Sequence, residues 1–161
     1  HLPHQFGCKS LPALAQELDR HILDRYGPDS PIDVLGFSMG GLISRLWLQK
    51  MSGAMRTRRF ISVGTPHEGT YLAQLVPYRL MKGIAQMKRG SDLLRELNKD
   101  FSSLQKVECT SFYCKWDLMV VPGWKAVLPI GSCHAAPVLT HKELILNVKS
   151  LSLLRKTILR N

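Results

Sequence analysis

The 161-residue sequence contains no run of 18 uninterrupted apolar residues, which excludes a simple membrane-spanning helix. It has no block of like charge that would mark a disordered tail, and Gly (12) and Pro (9) are too few for a low-complexity or collagen-like chain. Cysteine is sparse. Cys8, Cys109, Cys114 and Cys133 include no CxxC pair and no zinc-type His spacing, so neither a structural metal nor a disulfide framework is expected. Those thiols suit a reducing compartment, and a cytoplasmic location is the expectation. The opening HLPHQFG, which starts at His1 rather than Met, lacks a basic start followed by an apolar run, so no signal peptide is read there. Acidic residues are in deficit, 12 against 22 Lys and Arg, for a net charge of +10. That balance suits an acidic partner or a basic surface and decides nothing alone. Without a nucleic-acid motif or an aromatic-interleaved basic strip, no nucleic-acid partner is expected.

What is present is the balance of one ordinary globular domain over residues 1–161, 45% apolar and 21% charged, with no internal repeat. Apolar residues at three- and four-residue steps predict a helix over 10–26, with Ser10 as N-cap and Gly27-Pro28 as its stop. IDVLGF (32–37) is a short apolar run of the kind buried on both faces of a parallel sheet. After a sharp turn at SMGG, Leu42, Ile43, Leu46 and Trp47 form the stripe of a second helix. The basic cluster Arg56, Arg58 and Arg59 leads into a second strand, 60–64 (FISVG), followed by the turn-forming TPHEGT. Residues 71–100 are helical in tendency but broken by Pro77, Gly83 and Gly90, with Ser91 capping DLLRELN. VECTSFYC (107–114) predicts a third strand, 126–139 a hairpin and a short fourth strand, and 142–160 a final helix. Its apolar face is Leu144, Ile145, Val148, Leu151, Leu154 and Ile158, opposite Lys149, Lys156 and Arg160. The alternation of strands and helices argues for an α/β domain with a mostly parallel sheet.

Gly36-Phe37-Ser38-Met39-Gly40 is a G-x-S-x-G pentapeptide between a predicted strand and a predicted helix, the setting of a nucleophile elbow. Such a turn brings the positions two before and two after the serine together, where only a missing Cβ leaves room. It holds Ser38 in an unfavourable backbone conformation with its hydroxyl projected above the sheet, and leaves Met39 N–H free to face an oxyanion. The competing reading is an ordinary tight turn in which Ser38 caps the following helix.

A nucleophilic serine needs a base and an orienting acid. Of six histidines, His1 and His4 precede the elbow and His21 lies on the polar side of the first helix. His141, in a loop before the last helix, is preferred over His134; His67 precedes every good acid and reads as a polar structural residue. Asp117 directly follows the third strand, whereas Asp92, Glu96 and Asp100 sit on or beside a short amphipathic helix. As an alternative, Asp117 is a turn residue bonded to its own backbone. The order Ser38, Asp117, His141 is that of nucleophile, acid and base in α/β-hydrolases.

With these residues in place, the sequence resembles the α/β-hydrolases, and among them small bacterial esterases and triacylglycerol lipases. The resemblance runs through VLGFSMGG (34–41), TPHEGT (65–70), residues 91–98, WDLMVVP (116–122) and Thr140-His141, and covers residue 10 to the C-terminus. It implies an α/β-hydrolase fold and cleavage of small-molecule or lipid esters through an acyl-enzyme, with no metal or cofactor. Ser38 would be the nucleophile, Asp117 the orienting acid, His141 the general base and Met39 an oxyanion-hole residue; nothing in it specifies the acyl chain, the alcohol or the residues that bind them. Family members begin with an apolar strand ending in a His-Gly loop, which this sequence lacks. The expectation is therefore an N-terminally incomplete hydrolase without its first strands. That departure keeps open a second function, a non-catalytic α/β-hydrolase-like scaffold or fragment that acts as a binding protein. Leu72, Leu75, Leu80, Ile84 and Met87 among helix breakers make 71–101 a candidate helical cover over the site. Lys82, Lys88 and Arg89 would give that cover a weak attraction to an anionic membrane surface.

Overall fold

A chain that alternates apolar strands with amphipathic helices buries both by laying the strands side by side and packing helices on the two faces. This arrangement is found in the computed structural model of the chain, which describes residues 7–77, 79 and 81–159. His1, His4, Leu80 and Arg160 lie outside the described residues. Helix α1 (Leu11–Tyr26) is capped by Ser10, whose Oγ accepts from Ala13 N, and stops at Gly27, which takes φ +71°. Strand β1 (Ile32–Phe37) runs directly into α2 (Met39–Lys50). A single turn, α3 (Gly53–Arg56), precedes β2 (Thr57–Val63). Next come α4 (Lys82–Ala85) and α5 (Asp92–Lys99), the latter capped by Ser91, and then β3 (Glu108–Tyr113). The chain closes with β4 (Ser132–Ala135), α6 (Glu143–Leu146) and α7 (Val148–Ile158).

The four strands form one parallel sheet in the order β1-β2-β3-β4. Successive side chains point to opposite faces, which divides the core in two. Phe60 and Cys109 pack with Leu14, Leu42 and Trp47 under α1 and α2. Ile61, Val63 and Phe112 pack with Leu144 and Leu154 under α6 and α7. Among the described residues, no helix is long and apolar enough to cross a membrane.

Several expectations need correction. Residues 126–139 hold no hairpin: β4 runs parallel to β3, reached by a crossover pinned where Leu128 N–H donates to Ser111 Oγ at 3.1 Å. Gly131 then passes so close to β3 that a Cβ would lie 2.1 Å from Cys109 O. The last helix is two. Asn147 is extended (φ −79°, ψ 131°) and its side chain caps α7 by accepting from Lys149 N, so the predicted apolar face is split. Only Leu144 and Leu154 of that face are buried. The second strand starts three residues earlier than predicted. Arg58 and Arg59 lie within it and pair with Asp33 of β1, while Arg56 donates to Ser30 O, so the basic cluster is internal joinery.

Strand β1 is a sheet edge among the described residues. Leu35 is in register with Ile61 and faces the same side, yet Ile61 is buried and Leu35 is 46% exposed. An unpaired parallel edge beside an uncovered leucine is a template for association. Residues 1–161 expressed alone should therefore self-associate and bind a hydrophobic dye, and Leu35→Lys should reduce both. Light scattering checks this, and a monodisperse, dye-silent chain would contradict it.

Candidate active site

The turn from β1 to α2 uses a single residue, Ser38. Its φ of 51° and ψ of −123° make it the one non-glycine with positive φ among the described residues. A serine so placed costs about 1–3 kcal/mol and persists only where its surroundings over-determine it. Here Ser38 N–H donates to Val63 O at 2.8 Å, and Gly41 N–H donates to Ser38 O at 3.0 Å. Although Ser38 occupies the N-cap position, its side chain makes no capping bond, which removes the simple cap reading.

The steric reason for glycine holds, with one residue changed. A Cβ on Gly36 would lie 2.5 Å from Gly41 Cα, and one on Gly41 would lie 1.9 Å from Thr65 Oγ1. A Cβ on Gly40 would meet nothing within 4 Å. The crowding expected at Gly40 falls on Gly41, because α2 presses its first turn against the loop after β2. Met39 opens α2, and the first N–H groups of a helix have no partner within it.

Asp117 and His141 meet. The loop after β3 turns back at Asp117, whose Oδ1 accepts from Met119 N at 2.8 Å and Val120 N at 3.2 Å. Its Oδ2 is 2.6 Å from His141 Nδ1, and both residues are buried. Asp117 is thus the backbone-bonded turn residue and the partner of a histidine at once. A carboxylate that accepts at both oxygens requires Nδ1–H on the ring, which leaves Nε2 as the proton acceptor of a neutral imidazole. His141 Nε2 is buried and makes no hydrogen bond, so the Ser38 hydroxyl is not bonded to it in this structure. The link to the elbow is a ring contact: His141 lies 4.8 Å, centroid to centroid, from Phe37, the residue before Ser38.

The other histidines stand elsewhere. His21 is exposed on α1. His134 lies on β4 with its ring 5.2 Å from that of Phe112. His67 is buried, its Nε2 3.1 Å from Ser62 Oγ, and burial together with the Arg45 charge holds its pKa well below the ordinary value. Sequence reasoning passed over Gly64, which follows β2 at φ +56°. A Cβ there would lie 2.9 Å from His141 Cε1 and 2.7 Å from Leu144 Cδ1. Its signal was available as a glycine at a strand's C-terminal end. Arg45, fully buried in what read as an apolar helix, gave no such signal.

No family model and no curated protein matches the chain in sequence. Solved structures do match in fold. The mature form of the Bacillus licheniformis lipase BlEst2 superposes with a TM-score of 0.67 at 15% identity, over 93% of this chain and 74% of that one. Aspergillus fumigatus lipase B gives 0.73 at 20% identity, over 89% and 40%. The metagenomic carboxyl esterase MGS0156 gives 0.64 at 16% identity, over 79% and 49%. The chain has the α/β-hydrolase fold, and it spans less than half the length of the latter two proteins.

Gly64→Ala should move the His141 ring and destabilise the fold by about 2–4 kcal/mol, from left-handed strain plus overpacking. Denaturant unfolding together with the imidazole NMR signals of His141 checks this. Wild-type stability with unmoved signals would contradict it.

Proposed function

We propose that the chain is the catalytic part of a serine esterase or lipase that acts through an acyl-enzyme. The observation that carries this reading is the 2.6 Å contact of His141 Nδ1 with Asp117, beside a serine held at positive φ between strand and helix. In this reading Ser38 Oγ attacks the ester carbonyl while His141 Nε2 takes its proton. Asp117 holds the ring in the Nδ1–H tautomer and stabilises the imidazolium as it forms. Met39 N–H is one donor to the oxyanion at the start of α2. The same Nε2 then gives the proton to the departing alcohol, and water repeats the cycle on the acyl-serine. The serine-to-imidazole hydrogen bond, absent at rest, closes with substrate bound.

The substrate class follows from the surroundings. Leu118 is 82% exposed and Leu75 86% exposed, with Trp116, Met119 and Leu139 also uncovered near Asp117 and His141 in the chain. Exposed apolar side chains on the loops that carry Asp117 and His141 favour an apolar ester over a small polar one. The cover function proposed for 71–101 narrows to residues 71–90, because α5 is tied to α2: Arg45 and Gln49 both donate to Leu97 O, and Lys50 pairs with Glu96.

Two outcomes are expected in the full-length protein. Ser38→Ala should abolish labelling by a serine-directed phosphonate together with ester turnover, and Asp117→Asn should lower turnover on the order of 10⁴-fold. Labelling that survives Ser38→Ala places the nucleophile elsewhere. If residues 71–90 act as a cover, turnover of a short-chain triglyceride should rise discontinuously at its solubility limit, and further with anionic lipid. A smooth saturation curve indifferent to both would identify an uncovered esterase.

A further inference from the structure

Thr70 stands where three stretches of chain meet. It ends the TPHEGT turn after β2 and is buried. Its N–H donates to Met87 O at 2.9 Å, and its Oγ1 accepts from Leu72 N at 3.3 Å. Residues 71–87, the greater part of the candidate cover, therefore leave from and return to this one residue. The third stretch is the loop that carries Asp117, where the Thr70 hydroxyl donates to Met119 O. A carbonyl oxygen has no proton to give, so the direction of that bond is fixed.

The carbonyl it holds belongs to the peptide group whose N–H is that of Val120. Asp117 Oδ1 accepts from Val120 N at 3.2 Å, and both residues are buried. A peptide group is planar, and in the trans form its C=O and N–H point in opposite directions. Holding the oxygen therefore aims the N–H, and a donor on the oxygen also polarises it. The bonds run in series: Leu72 N–H to Thr70 Oγ1, the Thr70 hydroxyl to Met119 O, Val120 N–H to Asp117 Oδ1, and Asp117 Oδ2 to His141 Nδ1.

We propose that Thr70 is a positioning residue for the Asp117–His141 pair, its hydroxyl tying the orientation of the Asp117 carboxylate to the segment 71–87. Thr70 itself bonds to neither Ser38 nor His141 and acts through the Met119–Val120 peptide group. Oδ1 has a second donor, Met119 N–H at 2.8 Å, so loss of the hydroxyl loosens the carboxylate without freeing it. The consequence for turnover rests on the esterase reading, whereas the consequence for the His141 ring at rest does not.

In the full-length protein, Thr70→Val keeps the side-chain shape and removes the hydroxyl, and Thr70→Ser keeps the hydroxyl. With a soluble p-nitrophenyl ester, Thr70→Val should lower kcat about three- to tenfold, the worth of one hydrogen bond, with KM unchanged. It should also move the His141 Nδ1–H proton NMR signal, which the short bond to a carboxylate holds far downfield, to higher field. Thr70→Ser should restore both. A hydroxyl that served only its own turn would alter denaturant stability and leave that signal in place. In the unmutated protein, the Leu72 amide signal should shift with pH at the midpoint of the His141 ring, because the two lie on one series of bonds. A wild-type Nδ1–H signal in folded Thr70→Val, a failure of Thr70→Ser to restore it, or a Leu72 amide indifferent to the His141 titration overturns the proposal, the last whether or not Thr70→Val folds. If Ser38→Ala kept its phosphonate labelling, the esterase reading would fall, and the His141 and Leu72 signals would still decide the role of Thr70.

Discussion

The constraint on which the candidate site depends is the approach of Gly36 to Gly41, where a strand becomes a helix across one residue. A Cβ on either glycine would sit within 2.5 Å of a neighbouring atom, so the first turn of α2 lies against both β1 and Thr65. Thr65 Oγ1 in turn donates to Gly36 O at 3.4 Å, tying the exit of β2 to the exit of β1. The strain at Ser38 is held by this contact and by the depth of α2 in the core, where Leu42, Trp47 and Leu48 are wholly buried. The helix cannot shift to relieve the serine without exposing those side chains, at about 1.5–3 kcal/mol for each aliphatic one.

Arg45 extends the same logic to the segment that follows β2. Its guanidinium is buried without a carboxylate, and burial brings its pKa down to about 10. It donates to Gln49, Leu97 O and Asn98 and lies 4.9 Å over the Phe101 ring, so neutral dipoles and an aromatic face do the work of a counter-ion. Its Nε and Nη2 reach acceptors on α2 and α5, while Nη1 is buried without one. It therefore fixes α5 to α2, and any large movement between β2 and β3 is left to the residues before Ser91.

The legible parts of the sequence were those governed by local rules. Ser10, Gly27 and Ser91 act at helix ends through hydrogen bonds and φ values that depend on a few neighbouring residues, and each stands where its type predicts. The elbow was legible for the same reason, because the approach of Gly36 to Gly40 and Gly41 lies within six residues. Asp117 and His141, 24 residues apart, were reached through topology, since a parallel sheet gathers the loops at its strand ends. The parallel course of β4, the break at Asn147, the crowding at Gly41 and the burial of Arg45 depend on partners distant in sequence. No local pattern encodes them. Val148 and Leu151 read as core because helical periodicity cannot tell a face that is covered from one that is not.

His141 and His67 show why position alone was a weak basis for preferring one histidine as the base. Both are buried, and each has one ring nitrogen bonded and the other without a partner. Their bonded partners differ in sign and in proton count. His141 donates Nδ1–H to a carboxylate, so a proton arriving at Nε2 creates an imidazolium next to a negative charge. His67 Nε2 lies 3.1 Å from an uncharged serine hydroxyl and the ring feels the Arg45 charge, so protonating it would place two positive charges together in a dry interior. Exchanging their positions in the sequence would change nothing in that contrast, whereas exchanging Asp117 with Arg45 would reverse it. The capacity to act as a base therefore resides in the charge each imidazole faces, and on the proposed reading only the His141 ring can accept the proton of Ser38.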